Sequence, residues 1–380
     1  MIDEKRLVNR FLTLVGFDSE SFGERDVADY LKNSLAEIGI EADEDCADEI
    51  CGRRSERSAG NLYGLLPGNA DGEAILLSSH MDTVKPGIGK KPVVHPDGRI
   101  TSDGTTVLGA DDAAGLAAIL EALTVLTEDG IPHADVEVLF PCAEEIYGRG
   151  SNVFDYTRLK SSSSYCFDLT GNIGCAVTRA PTILSVDISV KGRGAHAGFN
   201  PEDGINALTA AAGALARIPT GRVAEDTTVN FGKIYGGSVT NAVPAEIRIG
   251  GEIRSLRHEE ALRRGESIRA VFAEEAEKIG ASVGIEIREM VRAYETARDH
   301  PVVRRFEEAA LSVGLTPEIG ATFGGSDQNH YSKHGIAGIV AASAMHDVHT
   351  VHEYTEIGEM VKLTELILAL VRTEGCGTAE

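Results

Sequence analysis

The chain has no tryptophan, and its six cysteines (Cys46, Cys51, Cys142, Cys166, Cys175 and Cys376) form neither a CxxC pair nor a tight cluster. That excludes a thiolate zinc site and a disulfide framework, and leaves the cysteines as small buried hydrophobes or free thiols of a reducing compartment. Basic residues are scarce: 36 Lys and Arg stand against 59 Asp and Glu, for a net charge of −23. Nucleic acid and anionic membranes select basic surfaces, so neither is expected as a partner. No apolar run approaches the roughly 20 residues that span a bilayer. The start, MIDEKRLVNRF, is charged and has no signal-peptide core, so the expected address is the cytoplasm. No phosphate-binding loop is present, which argues against a nucleotide-dependent enzyme. What remains is 380 residues, 42% hydrophobic and 25% charged: a globular chain long enough for two domains.

Apolar spacing predicts helices over 4–15 and 24–38, the second ending at Gly39. AILLSSH (74–80) is a short continuous apolar run, as in a parallel strand covered on both faces. GADDAAGLAAILEAL, from Gly109, begins as a turn and becomes an Ala- and Leu-rich helix. VEVLFPCAEE (136–145) and SYCFDLTG (164–171) read as two more buried strands running into acidic ends. Such alternation argues for an α/β fold. Near residue 180 the pattern changes. In TILSVDISVK, Leu184, Val186, Ile188 and Val190 alternate with Ser185, Asp187, Ser189 and Lys191, giving a strand with one wet face. A helix (204–217), strands near 227–234 and 246–255, a charged helix (258–279) and a strand (283–290) complete a β-α-β-β-α-β, ferredoxin-like order. The α/β pattern returns after about 294, with a helix at 300–313, buried-looking IAGIVAASAM (336–345) and a last helix near 355–373. The expected organisation is a discontinuous domain, 1–179 with 294–380, carrying an inserted domain at 180–293.

Acids and imidazoles stand just past the predicted strands: His80-Met81-Asp82, Asp111-Asp112, Glu144-Glu145 and Asp168, with HDVHTVHEY (346–354) near the end. Sites of open α/β sheets form at the carboxyl ends of strands. Each group alone has an ordinary reading. An Asp before an Ala-rich helix is a common N-cap, and Asp168 would suit a turn. Together they repel each other, and a divalent metal is the usual way to hold such carboxylates in one place. Imidazole with carboxylate suits zinc, though manganese or cobalt can fill the same ligands. GRGAHAG (192–198) superficially looks like a dinucleotide loop, but its spacing is GxGxxxG and the strand before it alternates.

SSHMDTV, LGADDAAGLAAIL, PCAEEIYGRGS, CFDLTG and HTVHEY, in that order, resemble the dinuclear zinc exopeptidases that include peptidase T, carboxypeptidase G and succinyl-diaminopimelate desuccinylase. The style is closest to peptidase T, and GAHAGFNPEDGINA resembles the family's lid motif. The resemblance covers almost the whole chain. It implies a zinc-exopeptidase-like α/β domain with a mostly parallel sheet, plus a ferredoxin-like α+β lid able to mediate a homodimer. It implies that His80 and Asp168 ligate one metal, Glu145 and His349 the other, and that Asp111 bridges. Asp82 would orient His80, and Glu144 would act as general base. The preference for Glu145 over Glu144 as ligand, and for His349 over His346 or His352, comes from the resemblance. The lid is expected to close over substrate and bring His196 to the tetrahedral oxyanion. Asn241, Arg254, Gly325 and Ser326 resemble substrate-binding positions. The expected activity is metal-dependent hydrolysis of short peptides, most specifically an aminotripeptidase. A dipeptidase, carboxypeptidase or N-acyl amino acid deacylase shares the same metals and base. A non-catalytic metal-stabilised binding protein is the reading from another class, and it has no need of Glu144.

Overall fold

A computed structural model describes residues 1–373; Cys376 lies outside them. The chain divides into two compact units, one of Met1–Arg179, Glu295–Ala321 and the residues from Ser326 onward, the other of Ala180–Tyr294 with Thr322–Gly325.

The first unit is built on a nine-stranded mixed sheet. Ile75–Ser78 runs parallel to both its neighbours, Val136–Phe140 and Ser163–Leu169, and Ala337–Ala342 continues the parallel set. Antiparallel strands flank this core: Leu62–Leu66 beside Val136–Phe140 on one side, Cys175–Ala180 beside Ala337–Ala342 on the other. Alternation within the buried runs shows why they are mostly apolar; Glu137, fully buried, is held by Tyr63, Lys160 and Ser161. Ile75, Leu77, Val138 and Phe140 join the main core, while Leu76 and Leu139 pack with Phe154, Tyr331 and Ile336. Both faces are therefore covered, as a central parallel strand requires.

Helix Ala110–Asp129 is buried from Ala110 through Leu126. It lies between the sheet and the helices Glu4–Gly16 and Ile357–Val371. Glu121 is fully buried within it and is held by Arg6 (Nε, 2.7 Å) and Arg10 (Nη1, 2.9 Å). Glu121→Leu would leave Arg10 buried and unpaired. Breaking a buried pair from one side costs about 3–5 kcal/mol, so we expect a loss of that size in chemical denaturation. Among the described residues no helix is long and apolar enough to cross a membrane.

The second unit is a five-stranded antiparallel sheet. Its order is Gly221–Ala224, Thr227–Gly236, Glu246–Ser255, Thr182–Lys191, Ser282–Val291. Leaving out the short Gly221–Ala224 edge, this is the ferredoxin-like arrangement. Leu184, Val186, Ile188 and Val190 point into a core shared with helices Ala207–Arg217 and His258–Lys278. Thr322–Gly325 joins this unit through Phe323: its carbonyl accepts from Arg254 Nη1 at 2.8 Å, and its ring lies under the Arg222 guanidinium.

Candidate metal centre

Three parallel strands deliver acids or imidazoles at their carboxyl ends. His80 follows Ile75–Ser78, the Glu144-Glu145 pair follows Val136–Phe140, and Asp168 is the penultimate residue of Ser163–Leu169. The buried His80 ring places Nε2 3.0 Å from Asp111 Oδ1 and 3.8 Å from Asp168 Oδ1. Its Nδ1 faces Asp82, 3.0 Å from the carbonyl oxygen and 3.4 Å from Oδ1. An acid behind an imidazole in this way fixes the ring's orientation and tautomer.

Asp111 opens helix Ala110–Asp129, but neither it nor Asp112 has helical φ/ψ, and the peptide between them is cis. Neither carboxylate serves as an ordinary N-cap, because both are engaged away from the helix's first turn. Asp111 Oδ1 meets His80, and Oδ2 lies 3.2 Å from His349 Nε2. Asp112 turns the other way, accepting from Ser79 Oγ and from the His80 N–H.

The strand leading to Glu144-Glu145 ends at Phe140, and the acids sit in a short 3₁₀ turn (Glu144–Ile146). Ala143 before it has φ +54°, unusual for a residue with a side chain. Three successive N–H groups hold this turn. Ala143 donates to Glu24 Oε1 (3.0 Å), Glu144 to Asp82 Oδ1 (2.8 Å) and Glu145 to Asp82 Oδ2 (3.2 Å). Ser21 Oγ also donates to Asp82 Oδ2, and Glu24 Oε1 also accepts from Phe22 N–H. Glu145 Oε2 then stands 3.1 Å from His349 Nε2.

His349 lies in a turn closed by reciprocal backbone bonds between His346 and Tyr354. Tyr354–Glu356 pairs with Arg99–Thr101, and the Tyr354 ring is sandwiched between the Arg99 guanidinium and the His346 ring. His346 is committed to Glu359, and His352 is exposed. Glu353 is buried and accepts the N–H groups of Gly109 and Asp111.

Two groups of donors result: His80, Asp111 and Asp168, and Asp111, Glu145 and His349, in each of which one ligand atom per residue lies within 4.8 Å of the others. Asp111 belongs to both. Burial pushes Asp168 and Glu144 well above the usual carboxylate range and Glu145 up to about 7. Asp111 is equally buried, yet hydrogen bonds with His349 and His80 draw it below its ordinary value. Asp111 and Glu145 raise His349 to about 10. Glu145 Oε1 is buried without a hydrogen-bond partner. Crowded buried carboxylates with an oxygen left over, mixed with imidazole nitrogens, fit divalent metal ions.

The other sequence-derived positions fall in or beside the second unit. His196 Nδ1 accepts the N–H groups of Gly198 and Phe199 at 3.1 Å, and its ring stacks on Phe199. In the neutral ring the proton is therefore on Nε2, making that nitrogen a donor. Arg254 is tied to Glu252 and to the Phe323 carbonyl, while Asn241 is exposed and accepts the Ala197 N–H through its backbone. Gly325 ends the Thr322–Gly325 segment, and Ser326 is the N-cap of helix Asp327–Lys333. Sequence reasoning missed Glu24, Asp327 and the role of Glu353. Asp327 is buried, accepts from Ser151 Oγ, and is raised to about 7 by that burial.

Known proteins agree with this architecture. Residues 180–280 match the family model for a peptidase dimerisation domain, and residues 61–178 match that of peptidase family M28. Aminopeptidase PepT from Bacillus cereus ATCC 10987 is 38% identical, with 97% of this chain and 98% of that one covered and a TM-score of 0.90. A tripeptidase from Staphylococcus aureus is 33% identical over 98% of both chains, with a TM-score of 0.93. Peptidase T of Salmonella typhimurium is 29% identical over 87% of this chain and 89% of its own length. Whole-chain likeness at these identities, on a fold that gathers the same ordered motifs into one centre, means that the chain belongs to the peptidase T family of metallo-exopeptidases.

Proposed function

We propose that this protein is a two-metal aminopeptidase that releases the N-terminal residue of tripeptides. The observation that carries the reading is the pair of donor groups sharing Asp111, with a second acid, Glu144, beside the donor Glu145. In this reading His80 and Asp168 would hold one ion, Glu145 and His349 the other, and Asp111 would contribute to both. Zinc suits the mixed nitrogen and oxygen donors, with cobalt and manganese as alternatives. A metal pair supplies Lewis acidity that lowers the pKa of a water from about 15.7 toward ~7. The chain's own residues do the rest. Glu144 accepts the proton of the attacking water and returns it to the leaving amine. Asp82 holds His80 in place and, through two backbone N–H groups, aims the acid pair. We assign to His196 Nε2–H the stabilisation of the developing oxyanion, and to Asn241, Arg254, Gly325 and Ser326 contacts with the peptide.

The match to a dimerisation domain supports a homodimer formed through the second unit. The five described cysteines are all free, which supports a reducing, cytoplasmic setting.

Metal-reconstituted protein should be assayed against di-, tri- and tetrapeptides with free or blocked termini. Tripeptides with a free amino terminus are expected to be cleaved fastest. Preference for N-blocked substrates would move the reading to a carboxypeptidase or deacylase, and no cleavage of any peptide would end it. His196→Ala should lower kcat by about 10²-fold or more, as for loss of an oxyanion donor, with metal content unchanged. An unaltered kcat would remove His196 from the mechanism.

A further inference from the structure

We infer that Glu353 is a positioning residue that sets the orientation of Asp111, the acid shared by both donor groups. The inference rests on the two-metal reading above. Asp111 has to present one oxygen toward His80 and the other toward His349, so its backbone orientation decides both sides at once. The start of a helix leaves backbone N–H groups without intrahelical acceptors, and here the carboxylates of Asp111 and Asp112 are turned to His80, His349 and Ser79 instead of to those groups. Glu353 supplies the acceptors from outside. Its Oε2 takes the Gly109 N–H at 2.8 Å and its Oε1 takes the Asp111 N–H at 2.9 Å. Both carboxylate oxygens are used, one on each side of Ala110, and the side chain is 1% exposed.

The position of Glu353 in the chain matters as much as its bonds. It stands four residues after His349, within the turn closed by His346 and Tyr354. One carboxylate therefore fastens the segment carrying the shared acid to the turn carrying its imidazole neighbour. If either segment shifts, the Asp111 Oδ2 to His349 Nε2 approach of 3.2 Å is lost. Catalytic and metal constellations tolerate errors of only about 0.5 Å and 10–20°.

Glutamine cannot replace this carboxylate. It keeps one acceptor and turns an NH₂ group toward the second N–H, donor against donor. Removing a partner that orients a ligand typically weakens metal affinity about 10–100-fold. Cobalt titration, read by visible absorption, should therefore show wild type binding two ions and Glu353→Gln binding both with a loss in that range. The double variant Glu353→Gln/Asp111→Asn separates positioning from a general structural role. If Glu353 acts through Asp111, the double variant should be within about threefold of Asp111→Asn alone, because coupled sites are not additive. Losses that multiply would overturn the inference, as would unchanged cobalt affinity in Glu353→Gln. Should that variant not fold, Glu353→Asp keeps charge and both acceptors on an arm too short for both bonds, and the same loss is expected. Wild type that binds no cobalt would instead overturn the two-metal reading itself.

Discussion

Glu144→Gln is expected to yield a folded, metal-loaded protein that turns over tripeptide at least 10²–10⁴-fold more slowly, the range typical of general acid–base assistance. Glutamine keeps the shape of the side chain and can still hydrogen-bond a water, but it cannot take that water's proton or hand one to the departing amine. The substitution should not disturb the turn. Glu144 is held by its backbone N–H on Asp82, not by its carboxylate. Elemental analysis should therefore find wild-type metal content, and KM should change little beside kcat. Protein with full metal and near-wild-type turnover would show that the proton travels another way.

Asp111→Asn is expected to act on the other half of the chemistry. The two Asp111 oxygens face different imidazoles, 3.0 Å from His80 Nε2 and 3.2 Å from His349 Nε2. Asparagine leaves one oxygen and puts an amide NH₂ where the other stood, so one donor group loses its shared member and the other loses its negative charge. The fall in metal affinity should exceed the roughly 10–100-fold that follows from disturbing an outer partner. Metal per chain should drop far below that of Glu144→Gln. Equal depletion in both variants would mean that the shared acid and the base are wrongly assigned.

Long-period features of the fold were legible without coordinates. Ile75–Ser78 and Val136–Phe140 read as buried runs because core lies on both faces, and Thr182–Lys191 alternates because only one face is covered. Short elements left no such trace. Arg99–Thr101 and Tyr354–Glu356 have three residues each, too few for a period, and they pair across the chain. Leu62–Leu66 carries Gly64 at its centre, where a Cβ would come within 2.9 Å of Ile40, so close packing replaced a side chain that could have marked the strand. At the centre itself, the acids at strand ends and in the HTVHEY segment were visible as motifs. Glu24 was not, and neither was the role of Glu353. Each is a single acid whose partners, Ala143 and Asp111, lie 119 and 242 positions away, and those partners are backbone N–H groups that any residue possesses. Thr322–Gly325 was unreadable for a related reason: a backbone carbonyl accepting from Arg254 fastens it.

The three consecutive N–H groups held by Glu24 and Asp82 bear on any attempt to transplant this chemistry. Which acid of the pair faces which way is decided by two carboxylates outside the 142–146 loop, one from the segment before helix Arg25–Glu37 and one from the end of the His80 strand. A loop grafted alone onto another α/β scaffold would arrive with the right letters and no register. A one-residue slip would exchange the acid proposed as proton acceptor with the one proposed as metal donor. The portable unit is thus three pieces of chain, 20–24, 79–82 and 141–147, and a designer who moves fewer moves a sequence without its function.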